Sequence, residues 1–99
     1  MRIEFLDPAK QEFAEAIAFY NEQSEGLGFR FALEIKRILS RILQHPNAWS
    51  PISKRTRRCR TDRFPYGVIY QVRKDSILIV AISHLHRHPD YWKQRLNSV

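Results

Sequence analysis

The sequence has little of what marks secreted, membrane-spanning or cofactor-dependent proteins. Cys59 is the only cysteine in 99 residues, so an intramolecular disulfide is excluded and a reducing compartment is expected. The longest apolar run, residues 77–82, is far shorter than a membrane span. The chain also lacks a P-loop, a dinucleotide fingerprint, a Ser/His/Asp set and an HExxH zinc motif. We therefore expect a cytoplasmic protein with no membrane association and no cofactor.

Cys59 itself lies between Arg58 and Arg60. Neighbouring cations tend to lower the pKa of a thiol. Catalysis by a lone thiol needs a placed base as well, and no base is evident beside it. The expectation for Cys59 is therefore a depressed thiol pKa without a catalytic role.

Acidic residues are scarce in the second half of the chain. Residues 1–45 carry six Lys or Arg against seven Asp or Glu, net −1, whereas residues 46–99 carry eleven against three, net +8. The formal charge of +7 thus belongs to the second half. Such a field suits a polyanion or an acidic protein segment. The alternative is a solvated basic face that only keeps the protein soluble.

Helical periodicity follows a short strand in the first half. Residues 2–6 alternate as a half-buried strand, and Asp7 with Pro8 marks a helix start. The first helix is expected to run to about Gln23, with Glu12, Glu15 and Glu22 on its solvent side. Two glycines at 26 and 28 permit a tight reversal, and an apolar stripe then predicts a second, long helix that Pro46 ends.

Strand patterns dominate the second half. Residues 56–61 predict an edge strand with Arg58 and Arg60 on one face. Residues 66–72 alternate, and residues 77–82 predict a strand buried on both faces. Residues 90–96 predict a short terminal helix. The expected fold is α+β, in the order β-α-α-β-β-β with a short C-terminal helix, as one domain over residues 1–99 with a helical hairpin packed on an antiparallel sheet.

Histidines and arginines near the end of the sheet are the candidates for chemistry. His84, His86 and His88 would share one face if the strand continued, which would suit a metal site or a polar strand end; we predict no metal. RNA cleavage is the stronger chemical use, because histidines can transfer protons while cations hold the charged phosphorane. The cations would be Arg58, Arg60 and Arg87. Tyr91 and Trp92 would stack bases or belong to the core.

Several short motifs, in this order along nearly the whole chain, resemble the RelE/ParE superfamily of toxins from type II toxin–antitoxin modules. They are the strand and helix start at residues 3–8, the helix reversal at residues 26–31, His45 with Pro46, residues 64–70, and the segment from His84 to Trp92. The resemblance implies a helical hairpin against an antiparallel sheet. It also implies a cognate antitoxin, usually encoded next door, whose partly disordered segment folds on the toxin.

The superfamily divides by activity. RelE-like members cut mRNA in the ribosomal A site, whereas ParE-like members inhibit DNA gyrase without being nucleases. The ribonuclease branch carries an arginine after the tyrosine of its strand, where this chain has Gly67 after Tyr66. The resemblance therefore favours a ParE-like plasmid-stabilisation toxin that binds DNA gyrase. Its target contacts are expected among Lys54, Arg55, Arg57, Arg63, Tyr91 and Trp92.

The alternative is a ribosome-dependent mRNA interferase, an endoribonuclease. It would use residues that lie near the positions of basic catalytic residues in the RelE-like branch, together with a histidine. Those residues are Arg58, Arg60, Arg87 and His84.

Overall fold

A computed structural model describes residues 1–97 in atomic detail. Its elements are β1 (Arg2–Phe5), α1 (Asp7–Gln23), α2 (Leu27–Gln44), β2 (Arg57–Arg60), β3 (Tyr66–Val72), β4 (Ser76–His84) and a short 3₁₀ helix, Lys93–Leu96. The predicted element order and the α+β class are confirmed. Ser98 and Val99, which the expected single domain includes, lie outside the described residues.

The four strands form one sheet in the order β1-β4-β3-β2. β2, β3 and β4 are antiparallel, as predicted, and β2 is an edge strand. The expected purely antiparallel sheet needs one correction, because β1 runs parallel to β4. Neighbours joined by a tight hairpin must run in opposite directions. β1 and β4 are instead connected through two helices and two strands, so no turn imposes opposite directions on them.

The two helices are joined by a tight reversal that depends on glycine. Gly26 has φ 81°, a left-handed conformation that side chains rarely adopt. At Gly28 an added Cβ would stand 2.2 Å from the carbonyl oxygen of Ile17, so only glycine lets α2 approach α1 this closely. Asn21 Oδ1 accepts from the Gly28 N–H at 2.8 Å. The hairpin packs its apolar stripe against one face of the sheet, called here the helix face.

A β-bulge in β4 sets the direction of the side chains at its end. Ile69 pairs with Ala81 but Tyr70 pairs with Ile79, so Val80 is the extra residue. Val80 and Ala81 both pack on the sheet face away from the helices, called here the far face, whereas Ile79 and Ile82 pack on the helix face. The bulge shifts the alternation by one residue.

Residues 85–97, called here the C-terminal segment, cover part of the far face. The strand ends at His84, so His86, in a turn, and His88, in irregular structure, lie beyond it and do not share a strand face with His84. The predicted helix over residues 90–96 is shorter than expected, because residues 90–92 form turns before the 3₁₀ helix. Backbone bonds between residues three apart close these turns, such as the one from the Lys93 N–H to the Asp90 carbonyl at 3.0 Å. Trp92 Nε1 donates to the Pro89 carbonyl at 2.9 Å.

Candidate functional site

Arg58 and Arg60 lie on the far face of the sheet. Cys59 between them is buried in the helix-side core, so strand alternation puts the two arginines on the other side. Arg60 pairs with Gly67, and a Cβ added at Gly67 would stand 3.0 Å from both Cγ and Cδ of Arg58. The stem of Arg58 therefore fills the space that a side chain at position 67 would take.

Burial reverses the expectation for the Cys59 thiol. Its side chain is 2% exposed, and burial raises its pKa to about 11, with Asp62 adding to the rise and Arg41 opposing it. The neighbouring arginines do not lower the pKa as expected, because their side chains extend from the opposite face of the strand. The thiol is a core group.

His84 lies at the end of β4 on the helix face. Its ring meets the Tyr66 ring edge-on with centroids 5.2 Å apart, and Tyr66 in turn packs against Tyr20 and Phe31 of the helices. His84 Nδ1 accepts from the backbone N–H of His86 at 3.1 Å. The adjoining groove, with a volume of about 270 Å³, is lined by two carboxylates, Glu12 and Glu15, as well as by His84 and Arg87.

Glu12 is the centre of a polar cluster that sequence reasoning missed. Its carboxylate accepts two hydrogen bonds from Arg95, at 2.8 and 2.9 Å, and one from the Tyr91 hydroxyl at 2.7 Å. It also accepts from the Ile82 N–H at 3.1 Å, beyond the point where β1 stops pairing with β4. Arg87 lies 3.8 Å from the same carboxylate. Glu12, Arg87, Tyr91 and Arg95 are called here the Glu12 cluster.

The Glu12 cluster fastens the C-terminal segment to α1 and β4. The guanidinium carbon of Arg87 lies 3.8 Å from the centroid of the Tyr91 ring, a cation–π contact. Burial raises the pKa of Tyr91 to about 12, and the hydrogen bond to Glu12 adds to this while one with Ser83 opposes it. The hydrogen bonds to Glu12 also raise the pKa of Arg95. Arg87 is thus engaged in holding the fold together.

Tyr91 and Trp92 lie within this segment rather than on a free surface. Trp92 is 2% exposed and packs on the far face with Ile69, Leu78 and Val80. Tyr91 is half-buried beneath Arg87. Of the two possibilities that the sequence left open for Trp92, this placement matches the core residue.

The remaining predicted target contacts divide between two places. Lys54, Arg55 and Arg57 line a cleft of about 520 Å³ where the β3–β4 turn meets the loop before β2. Arg63 lines a separate groove of about 300 Å³ along α2, with Arg30, Arg37 and Phe64. Behind that groove, Glu34 is buried and accepts from the backbone N–H groups of Asp62 and Arg63, at 2.6 and 3.1 Å.

The structure therefore brings only two of the four predicted catalytic residues together, because His84 and Arg87 line one groove while Arg58 and Arg60 lie elsewhere. His84 lies on the helix face, Arg58 and Arg60 lie on the far face, and Arg87 belongs to the Glu12 cluster. Among residues 1–97, no three His, Cys, Asp or Glu side chains are grouped so that they could hold a metal ion. Within the same residues, no helix has the length and apolar character needed to cross a bilayer.

The helical hairpin on one face of the sheet agrees with the fold that the resemblance to RelE/ParE superfamily toxins implies, and comparison with known proteins confirms that resemblance. A family model described as "ParE toxin of type II toxin-antitoxin system, parDE" matches residues 3–89. The chain belongs to this family.

Individual relatives agree with this assignment. The chain is 26% identical over 90 residues to Toxin ParE2 of Mycobacterium tuberculosis, in strains CDC 1551 / Oshkosh and ATCC 25618 / H37Rv, an alignment that covers 90% of this chain and 86% of each relative. Its fold is similar to a solved chain of the chromosomal ParDE TA system from P. aeruginosa, with a TM-score of 0.74 and 15% identity, covering 85% of this chain and 95% of that one.

Proposed function

We propose that this ParE-family toxin acts without cleaving its target, by binding DNA gyrase in the cytoplasm and blocking supercoiling. The observation that carries the proposal is the separation of His84 from Arg58 and Arg60 by the sheet itself. Cleavage of RNA needs a base, an acid and cations at a single phosphate. Residues on opposite faces of one sheet cannot meet there.

The groove beside His84 is also poorly suited to a phosphate. Glu12 and Glu15 line it, and Arg95 and Arg87 lie against Glu12. Two carboxylates against two guanidinium groups leave no excess positive charge to attract a polyanion. Arg87, the one cation of that lining, is already beside Glu12 and over the Tyr91 ring. These contacts support binding of a protein target over cleavage of RNA.

We also propose that a cognate antitoxin neutralises the chain. Apolar side chains remain exposed on the helical hairpin, with Phe19 53%, Phe29 65% and Leu33 38% exposed. Exposed apolar side chains on helices suit an amphipathic segment of a partner. The family description and the solved ParDE system from P. aeruginosa support a paired antitoxin. Co-expression of the protein encoded next door should therefore restore growth.

The test is to induce the chain without an antitoxin and to examine cells within minutes. We expect relaxed plasmid DNA and intact mRNA by primer extension. His84→Ala, matched with Glu15→Ala in the same groove, should retain toxicity. Codon-phased cuts in mRNA with normal supercoiling would contradict the proposal and identify a ribosome-dependent interferase instead.

A further inference from the structure

We infer that the cleft between residues 51–57 and the β3–β4 turn binds the phosphodiester backbone of nucleic acid. Four cations line it, and they are Lys54, Arg55, Arg57 and Arg73. No Asp, Glu or His of the described residues contributes to its lining. These four residues and the space between them, about 520 Å³, are called here the basic cleft. The site lies at the opposite end of the sheet from His84, and the inference does not depend on gyrase being the target.

Backbone bonds hold the loop that carries the first two cations. Pro51 forms a bridge with Arg57 at the base of the loop, and the Ile52 N–H donates to the Thr56 carbonyl at 2.9 Å. The hydroxyls of Ser53 and Thr56 are hydrogen-bonded to each other. Lys54 and Arg55 therefore lie at the tip of a closed loop, which lowers the ordering cost of binding.

The other two cations are held by their own side-chain bonds. Arg57 Nη1 donates to the Trp49 carbonyl at 2.5 Å, and Arg73 donates twice to Gln71 Oε1, at 3.1 and 3.2 Å. A guanidinium carries five N–H donors. These bonds orient both side chains and leave further donors for the oxygens of a phosphate.

None of the four cations has a carboxylate partner among residues 1–97. The ion pairs there join Arg2 to Glu4, Lys93 to Asp90, and both Arg87 and Arg95 to Glu12. The field of the basic cleft is therefore not neutralised by the described part of the chain. Unneutralised cations in a concave site concentrate anions there.

The shape and lining favour an extended phosphodiester over an acidic peptide. A second groove shares Lys54 and Arg55 and continues past Lys93 and Asn97, so there is room for more than one phosphate. Asn47, Ser53 and Gln71 supply uncharged hydrogen-bonding groups, the side chains that accompany Lys and Arg at phosphates. A peptide groove would need apolar anchor pockets. Among residues 1–97, Pro51 and Val72 are the only apolar residues that line the basic cleft. The second groove adds Leu96 and Trp92, and Trp92 is a core residue, 2% exposed.

The test measures the salt dependence of binding by the purified full chain. Fluorescence anisotropy would be recorded with a labelled DNA duplex, and separately with a labelled single-stranded RNA, from low to physiological salt. The slope of log K against log salt reports the number of phosphates contacted, roughly 0.9 per phosphate for duplex DNA. A triple variant, Lys54→Gln, Arg55→Gln and Arg73→Gln, should lower the slope by up to about 2.7 and weaken binding at least tenfold.

The matched control removes three cations from the exposed surface of α1 and α2, with Lys10→Gln, Lys36→Gln and Arg41→Gln. It has the same net charge as the cleft variant, and we expect it to retain the wild-type slope. An equal loss in both variants would overturn the inference, because net charge alone would then explain binding. So would a wild-type chain that binds neither nucleic acid at low salt, or one that binds polyglutamate as tightly as DNA.

Two further readouts keep the inference testable on its own. If the triple variant unfolds, as judged by circular dichroism, the double variant Lys54→Gln, Arg55→Gln at the exposed loop tip replaces it. The slope should then fall by up to about 1.8, and an unchanged slope would overturn the inference. The DNA and RNA arms distinguish the two sources of phosphodiester. Because no gyrase is present in this experiment, its failure and the failure of the gyrase proposal are separate results.

Discussion

The Glu12 cluster and the basic cleft lie at opposite ends of one sheet and use arginine in opposite ways. At the first, one largely buried carboxylate is bonded twice by Arg95 and once by Tyr91, with Arg87 alongside. At the second, four cations share a lining to which residues 1–97 contribute no carboxylate. Net charge alone does not distinguish these two situations. The cations of the Glu12 cluster stabilise the fold, whereas those of the basic cleft are available to a ligand.

Removing the carboxylate should have the largest effect. Glu12→Ala would leave the Arg95 side chain, only 17% exposed, without its carboxylate partner. It would also leave the Ile82 N–H without its acceptor. Breaking a buried ion pair costs roughly 3–5 kcal/mol of unfolding free energy. Urea denaturation would measure it. Glu15→Ala, in the same groove but exposed, should change stability by less than about 0.5 kcal/mol. Equal losses in both variants would show that the cluster has no special role.

Removing one hydroxyl from the Glu12 cluster should have a moderate effect that depends on pH. Tyr91→Phe deletes a hydrogen bond to an ionised group, worth about 1.5–3 kcal/mol near neutral pH. The pKa of Tyr91 is about 12 in the folded protein against an ordinary value of 10. Its contribution is therefore complete below pH 10 and is lost as pH rises toward 12.

Denaturation curves across this range should accordingly show that the wild type loses more stability than Tyr91→Phe. Tyr20, Tyr66 and Tyr70, whose pKa values burial also raises, are present in both proteins and serve as the internal reference. Parallel losses in the two proteins would contradict the assignment of the shift to Tyr91.

The smallest expected change in stability concerns the contact between Gly67 and Arg58, on the far face between the two regions. Gly67→Ala should press on the stem of Arg58, because the new Cβ would stand 3.0 Å from two of its carbons. Displacing a side chain from its rotamer costs about 1 kcal/mol. In an Arg58→Ala background the same change should be neutral or stabilising. A double-mutant cycle on unfolding free energies measures the coupling between positions 58 and 67. A coupling near zero would show that the Arg58 stem does not fill the space beside Gly67.

The fold followed from the sequence because the signals for it are local. Apolar residues at helical spacing in α1 and α2, the glycines of the reversal and the alternation in β3 each specify a nearby structure. The direction of β1 did not follow, since alternation along a strand carries no information about the direction of its neighbour. The bulge at Val80 could not be predicted either. Residues 77–82 are all apolar, so their sequence does not show which side chains face the helices.

The positions of the candidate site residues depend on the bulge and on long-range tertiary contacts, which the sequence does not show. The bulge decides that His84 lies on the helix face, away from Arg58 and Arg60. Glu12 looked like a solvent-side residue because its partners Ile82, Tyr91 and Arg95 are 70 to 83 residues further along the chain. Arg73 was not grouped with Lys54 and Arg55, because only the tertiary fold brings the β3–β4 turn to the loop before β2. A cluster of cations with few nearby acidic residues was the one useful signal.

The most direct test of the account is a supercoiling reaction with purified gyrase and relaxed plasmid, into which the purified chain is titrated. We expect loss of supercoiling with wild type and with His84→Ala at the same concentrations. In a parallel translation reaction, mRNA on the ribosomes should stay intact. Normal supercoiling, together with cuts in ribosome-bound mRNA that His84→Ala abolishes, would contradict it. His84 would then have to act together with Arg58 and Arg60 despite lying on the opposite face of the sheet, or with Arg87 alone.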